Sequence, residues 1–119
     1  MPPECWIEVG RLDDIPRRGS RRLKCPDTGL PIAVFRTADD RVFALVDRCP
    51  HREGPLSEGI VQGCAVACPL HGWVIHLDSG QAEAPDEGRV RTIAVKLVRG
   101  RIRLSAPELR AAARNPEAA

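Results

Sequence analysis

Two short segments set the strongest condition on how this chain can fold. Cys49-Pro50-His51 and Cys68-Pro69-Leu70-His71 each place one thiol and one imidazole in a proline-marked turn, and sixteen residues separate the pairs. The chain has three histidines and five cysteines, so two of the former sit beside two of the latter. Such a concentration of donors asks two loops to converge on a metal. A mononuclear zinc finger usually groups its ligands by type, with two cysteines in one knuckle and two histidines on a helix, and no helical pattern lies between these pairs. A structural zinc site, or coincidence, is the bland alternative, and colour separates it from a redox metal because zinc is spectroscopically silent.

The rest of the sequence says what carries those loops. Apolar and β-branched runs of strand length recur at residues 5–9, 31–37, 41–47, 64–68, 73–77, 92–98 and 101–104. Turn signals separate them: Thr37-Ala38-Asp39-Asp40, Asp78-Ser79-Gly80 and Arg99-Gly100, the last joining two alternating runs as a hairpin does. Many short strands with Gly and Pro punctuation predict an all-β sandwich or barrel. Alternation puts Ile93, Val95 and Leu97 on one side, followed after the turn by Ile102 and Leu104, and predicts that side as core. Helix is expected only at the end, where Ser105 and Glu108 read as a capping box before "LRAAAR" and Pro116 stops continuation. The tail, residues 105–119, is expected to be a docked or frayed appendage.

With 119 residues the chain is expected to form one domain, 1–119, large enough for a real core. Its formal charge of +2 comes from 18 basic and 16 acidic side chains of interspersed sign, which implies neither a nucleic-acid nor a membrane partner. No apolar run is long enough to span a bilayer and the N-terminus lacks a signal-peptide pattern, so a cytoplasmic location is expected. In a reducing compartment an odd cysteine count favours thiols or metal ligands over a disulfide framework. No Ser/His/Asp set, motif of paired carboxylates, P-loop or G-x-G-x-x-G is present, so no catalytic or nucleotide site is indicated.

Mixed pairing suits a [2Fe–2S] cluster, in which each of two sulfide-bridged irons needs two protein ligands. Two loops that each give one Cys and one His can place both sulfurs on one iron and both imidazoles on the other. The arrangement resembles a Rieske iron–sulfur domain, with Cys49, His51, Cys68 and His71 in the four ligand positions. The resemblance covers roughly residues 5–104. It implies an antiparallel β-sandwich with a cluster-binding subdomain at about 46–77, Cys49 and Cys68 on the inner iron, and His51 and His71 on the outer one. Gly54, Gly59, Gly63 and Gly72 are read as permitting positive φ or close backbone approach around the cluster, and Pro50, Pro55 and Pro69 as stiffening its loops.

High-potential Rieske proteins carry an extra cysteine in each cluster loop, joined as a disulfide, and a serine after the second His-Gly. Here Gly54, Leu70 and Trp73 stand in those places. The resemblance therefore implies a midpoint in the lower part of the range for such centres, roughly −150 mV upward. Of the other cysteines, Cys64 is expected to be a small buried hydrophobe and Cys5 and Cys25 free thiols; His76 is read as a strand residue and Trp73 as a core anchor.

Within this family the segments "CPHREGPLSEGIV" and "CPLHGWVIHLDSGQAEAPDEG" resemble the small subunit of assimilatory NAD(P)H-dependent nitrite reductase. That resemblance implies a partner, the large subunit that carries flavin, a [4Fe–4S] cluster and sirohaem and reduces nitrite to ammonium. It is also similar to the ferredoxin component of aromatic-ring-hydroxylating dioxygenase systems, which usually have phenylalanine near Ile75 and lack the "REGPL" wording. A third reading, a Rieske-like module that only helps a larger enzyme assemble, differs in needing no electron transfer.

Overall fold

The computed structural model describes residues 5–25, 29–49, 55–69 and 72–114. Among these residues the chain runs through ten strands and a terminal helix: β1 (Trp6–Arg11), β2 (Gly19–Lys24), β3 (Pro31–Arg36), β4 (Val42–Val46), β5 (Ile60–Gln62), β6 (Ala65–Ala67), β7 (Val74–His76), β8 (Thr92–Ile93), β9 (Val95–Val98), β10 (Arg101–Ser105) and α1 (Ala106–Arg114). They form three antiparallel sheets, ordered β1-β10-β9, β2-β3-β4-β8 and β5-β6-β7. The fold is all-β with one short C-terminal helix, as the sequence predicts.

The four-stranded sheet is the centre of the molecule. Its strand β3 reads Pro-Ile-Ala-Val-Phe-Arg, a continuous apolar run rather than an alternating one, and from Ile32 to Arg36 every residue is buried. A strand of that kind needs cover on both faces. On one face Val34 and Leu23 meet Val9, Ile15 and Ile102, and Ile32 meets Leu104 and the helix residue Leu109. The other face carries Phe35, Ala33 and Leu45, flanked by Ser20 and Arg22 in register on β2. It is covered by a 3-10 turn, Leu56–Glu58, that leads into the small sheet.

Three sequence expectations need correction. Residues 92–98 are not one strand: Ile93 pairs with Ala44 in the four-stranded sheet, whereas Val95 pairs with Leu104 in the outer one. The chain changes sheets at Ala94, whose N–H donates to Glu108 Oε1 (3.3 Å) and whose carbonyl accepts from the Ser105 N–H (3.1 Å). Glu108 therefore does not close a capping box on Ser105, although its own N–H donates to Ser105 Oγ at 3.3 Å. Leu97 is not core. It faces the same way as Ile102, its cross-strand partner, but β9 is the sheet's edge and Leu97 is 42% exposed. Ile93, Ile102 and Leu104 are buried as expected. The helix is docked through Ala106, Leu109 and Ala112, and Pro116 lies outside the described residues.

A buried cation fastens one rim. Arg36 Nη1 donates to the carbonyls of Leu12 (3.1 Å) and Ile15 (2.7 Å), while its Nε and Nη2 donate to Asp40 Oδ1 at 3.0 and 2.8 Å. Arg17 reaches the same carboxylate, with Nε 3.0 Å from Oδ1. Hydrogen bonds from Arg17 and then Arg36 hold the Asp40 carboxyl below the ordinary aspartate range. A depressed carboxyl pKa contributes stability that is complete above the unfolded value, about 4, and is lost as pH falls through the folded one. Urea unfolding at pH 7 and pH 3 is therefore expected to show less acid destabilisation in Asp40→Asn than in the parent. Equal losses in the two proteins would exclude Asp40 as a source of acid sensitivity.

Candidate metal centre

Of the four expected ligands, the two cysteines lie among the described residues, while His51 and His71 lie outside them, together with Pro50, Gly54 and Leu70. Cys49 and Cys68 are 1% and 2% exposed and belong to the same buried cluster of side chains. No disulfide forms among the described residues, which include all five cysteines. Thiols so far removed from water can sit near the inner side of a metal centre.

Cys68 follows directly on β6 and Cys49 comes three residues after the end of β4. Beyond β4 the chain is held by the Asp47 N–H donating to the Pro31 carbonyl (2.9 Å) and the Arg48 N–H donating to the Val46 carbonyl (2.8 Å). Beyond β6, the Cys68 N–H donates to the Trp73 carbonyl (2.7 Å) and the Cys68 carbonyl accepts from the Gly72 N–H (3.0 Å). These two bonds close the connection from β6 to β7 into a tight loop, with Gly72 at φ +71° supplying the left-handed residue the closure requires. The sheet beneath is anchored by Val61, Val66 and Ile75, cross-strand neighbours that are all buried.

The far end of the first loop is tied back to the central sheet. Asp47, whose side chain is fully buried, accepts from the Ser57 N–H through Oδ1 (2.7 Å) and from Ser57 Oγ through Oδ2 (2.6 Å). Arg22 Nε lies 3.3 Å from Oδ2, and Ser20 Oγ donates to the Ser57 carbonyl at 2.5 Å. Pattern reading missed this cluster. A carboxylate just before a Cys-x-His pair and a serine after it are the signals that could have found it.

The remaining expectations divide. Gly63 has the positive φ expected of it, +56°, in the β5–β6 turn, whereas Gly59 has φ −78° and is needed for close approach instead. A Cβ there would lie 2.3 Å from the Ala67 carbonyl oxygen and 2.8 Å from Val66 Cγ2. Cys64 is half-buried rather than fully buried, because it lies in the turn and its sulfur meets the guanidinium of Arg41. Cys25 is buried and Cys5 half-buried, both thiols as expected. Trp73 packs against the core, and His76 lies on β7 with its carbonyl accepting from the Gly80 N–H at 2.7 Å. The acidic stretch at 83–87 turns, with the Asp86 N–H donating to the Glu83 carbonyl at 3.1 Å.

A family model for the Rieske [2Fe-2S] domain matches residues 5–94, which include all four expected ligand positions. The chain belongs to the Rieske [2Fe–2S] domain family. Its cofactor is accordingly a [2Fe–2S] cluster, and its role is electron transfer. The anthranilate 1,2-dioxygenase ferredoxin subunit of Burkholderia cepacia is 40% identical over 76 residues, covering 63% of this chain and 69% of that protein. The 4β-methylsterol monooxygenase of Methylococcus capsulatus is 42% identical over 79 residues, 57% of this chain, but the match spans only 21% of that larger protein. Among solved structures, one described as a nitrite reductase NADPH small subunit is 26% identical with a TM-score of 0.74, covering 85% of this chain and 98% of that one.

Two buried thiols, one just past β6 on a loop closed by backbone bonds and one beyond β4 beside the Asp47–Ser57 tie, suit the inner half of a Rieske centre. The two glycines flanking β5 separate close packing from turn conformation. Gly63→Ala, facing open space, is expected to cost about 1 kcal/mol, the ordinary penalty for a left-handed alanine. Gly59→Ala, which must displace β6, is expected to cost more than about 2 kcal/mol. Denaturant midpoints measured on both variants check the order, which equal losses would overturn.

Proposed function

We propose that this chain is the electron-carrying small subunit of an assimilatory NAD(P)H-dependent nitrite reductase, a cytoplasmic protein of one Rieske domain. In this reading a cluster-binding unit at about 46–77 holds the [2Fe–2S] centre through Cys49 and Cys68 on one iron and His51 and His71 on the other. The cluster supplies one-electron transfer when bound. The protein buries the thiolate side, fixes the loops by the backbone bonds at Cys68 and the carboxylate of Asp47, and leaves the chemistry on nitrite to a large sirohaem, flavin and [4Fe–4S] subunit.

The observation that carries the reading is the pair of loop segments, 49–61 and 68–88, whose wording resembles nitrite reductase small subunits. Likeness along 98% of a structure described as such a subunit supports it. Ile75, fully buried on the inner face of the small sheet, adds to it, since ring-dioxygenase ferredoxins usually carry phenylalanine near that place. The 40% identity to a dioxygenase ferredoxin subunit favours the second reading, a carrier between a reductase and a ring oxygenase.

Purified protein is expected to be coloured and to contain iron and acid-labile sulfide in equal amounts. Cys68→Ser and His71→Ala should lose that absorption; retention of it in both would overturn the ligand set. Co-expression with a sirohaem flavoprotein is expected to give a complex that reduces nitrite with NAD(P)H. His71→Ala should leave the complex assembled while lowering turnover by about tenfold or more. Stimulation of a ring oxygenase, with no association with the flavoprotein, would instead establish the ferredoxin reading. Unchanged turnover in a cluster-free complex would mark the chain as an assembly module.

A further inference from the structure

A fully buried carboxylate beside a metal loop demands an explanation, because an unpaired buried charge is costly and a paired one adds little stability over apolar packing. Asp47 is two positions before Cys49, and its two oxygens are shared among the Ser57 N–H, the Ser57 hydroxyl and the guanidinium of Arg22. Ser57 lies in the Leu56–Glu58 turn that follows the first expected ligand pair, and its carbonyl is held in turn by Ser20. One side chain therefore ties the strand leaving for the loop to the turn that follows it. The cation completing the set comes from β2, and its own side chain is 52% exposed.

We propose that Asp47 is a positioning residue for the cluster: it locks both ends of the first ligand loop, and the Asp47–Arg22 pair sets the electrostatic environment in which the cluster takes up an electron. The proposal rests on the ligand reading above. Its two parts have separate chemical signatures. Geometry comes from the carboxylate's shape, which an amide largely keeps, since Asn can still accept from the Ser57 N–H while the Ser57 hydroxyl turns to accept from its amide group. Charge comes from the carboxylate and its guanidinium partner, which act in opposite senses. A nearby negative charge opposes addition of an electron, and a positive one favours it.

The test uses the full chain carrying its cluster, with Asp47→Ala, Asp47→Asn, Ser57→Ala and Arg22→Gln compared with the parent. Cluster loss is followed by visible absorption in excess chelator, midpoints by redox titration, and the stability of the apoprotein by thermal unfolding. Asp47→Ala is expected to speed cluster loss roughly tenfold or more, and Asp47→Asn to recover most of the lifetime. Should Asp47→Ala fail to fold, Ser57→Ala, which removes only the hydroxyl contact, is expected to speed loss in the same sense. The midpoint should rise in Asp47→Asn and fall in Arg22→Gln, a divergence that a purely structural contact would not produce.

Parent-like cluster lifetimes in Asp47→Ala and Ser57→Ala would overturn the positioning role. Midpoints moving the same way in Asp47→Asn and Arg22→Gln, or not moving, would overturn the electrostatic one. Cluster loss that merely tracks apoprotein stability across the set would reduce Asp47 to a residue of the fold. Absence of iron and sulfide from the parent protein is a different result, which removes the ligand reading itself.

Discussion

Burial of β3 on both faces is the constraint on which the rest of the structure depends. A central strand with no polar side to offer water must be sandwiched, and the two covers differ in kind. One is an ordinary outer sheet with the terminal helix, built from Ile102, Leu104 and Leu109. The other is the 3-10 turn at Leu56, which leads from the Cys49 segment into the small sheet. The turn between the Cys49 segment and the small sheet is thus part of what keeps the central strand dry, and Leu56 within it is fully buried.

That placement bears on the chemistry around the loops. Cys49 and Cys68 are buried just beyond the core strands β4 and β6, and the backbone bonds that close the second loop continue the ladder between β6 and β7. Asp47 continues β4 in the same way. Its position in register puts it on the face that meets Ser57, so a polar clamp appears where the apolar strand runs out.

The sequence made the chemistry more legible than the architecture. Cys49 and Cys68 could be singled out because donors at short spacing in Pro-marked turns are rare outside metal sites. The strands with apolar or β-branched runs, β3, β4 and β10 among them, could be read from composition alone. β2 could not: Gly-Ser-Arg-Arg-Leu-Lys has one apolar side chain, and its pairing is dictated by β3. The change of sheet at Ala94 was hidden for a related reason, since strand alternation does not say which neighbour a strand joins, and Leu97 on an edge reads like Ile102 in a centre. The Asp47 cluster joins residues from three separate stretches; its carboxylate and serine flank the Cys-x-His pair, but nothing in the sequence pattern points to the partner Arg22 on β2.

The order of pairing along the chain has a consequence for biogenesis. Sheet β5-β6-β7 is made of two consecutive hairpins, its edge bonded by the nearby residues 81–83, whereas β1 finds its only described strand partner in β10, at Arg101–Ser105. A nascent polypeptide leaving the ribosome therefore presents the small sheet, with Cys68 between two of its strands, while its first strand still waits, unzipped, for its mate. The small sheet can thus be complete while the outer sheet is still open, and pairing of the first strand with the tenth would come afterwards as the final latch.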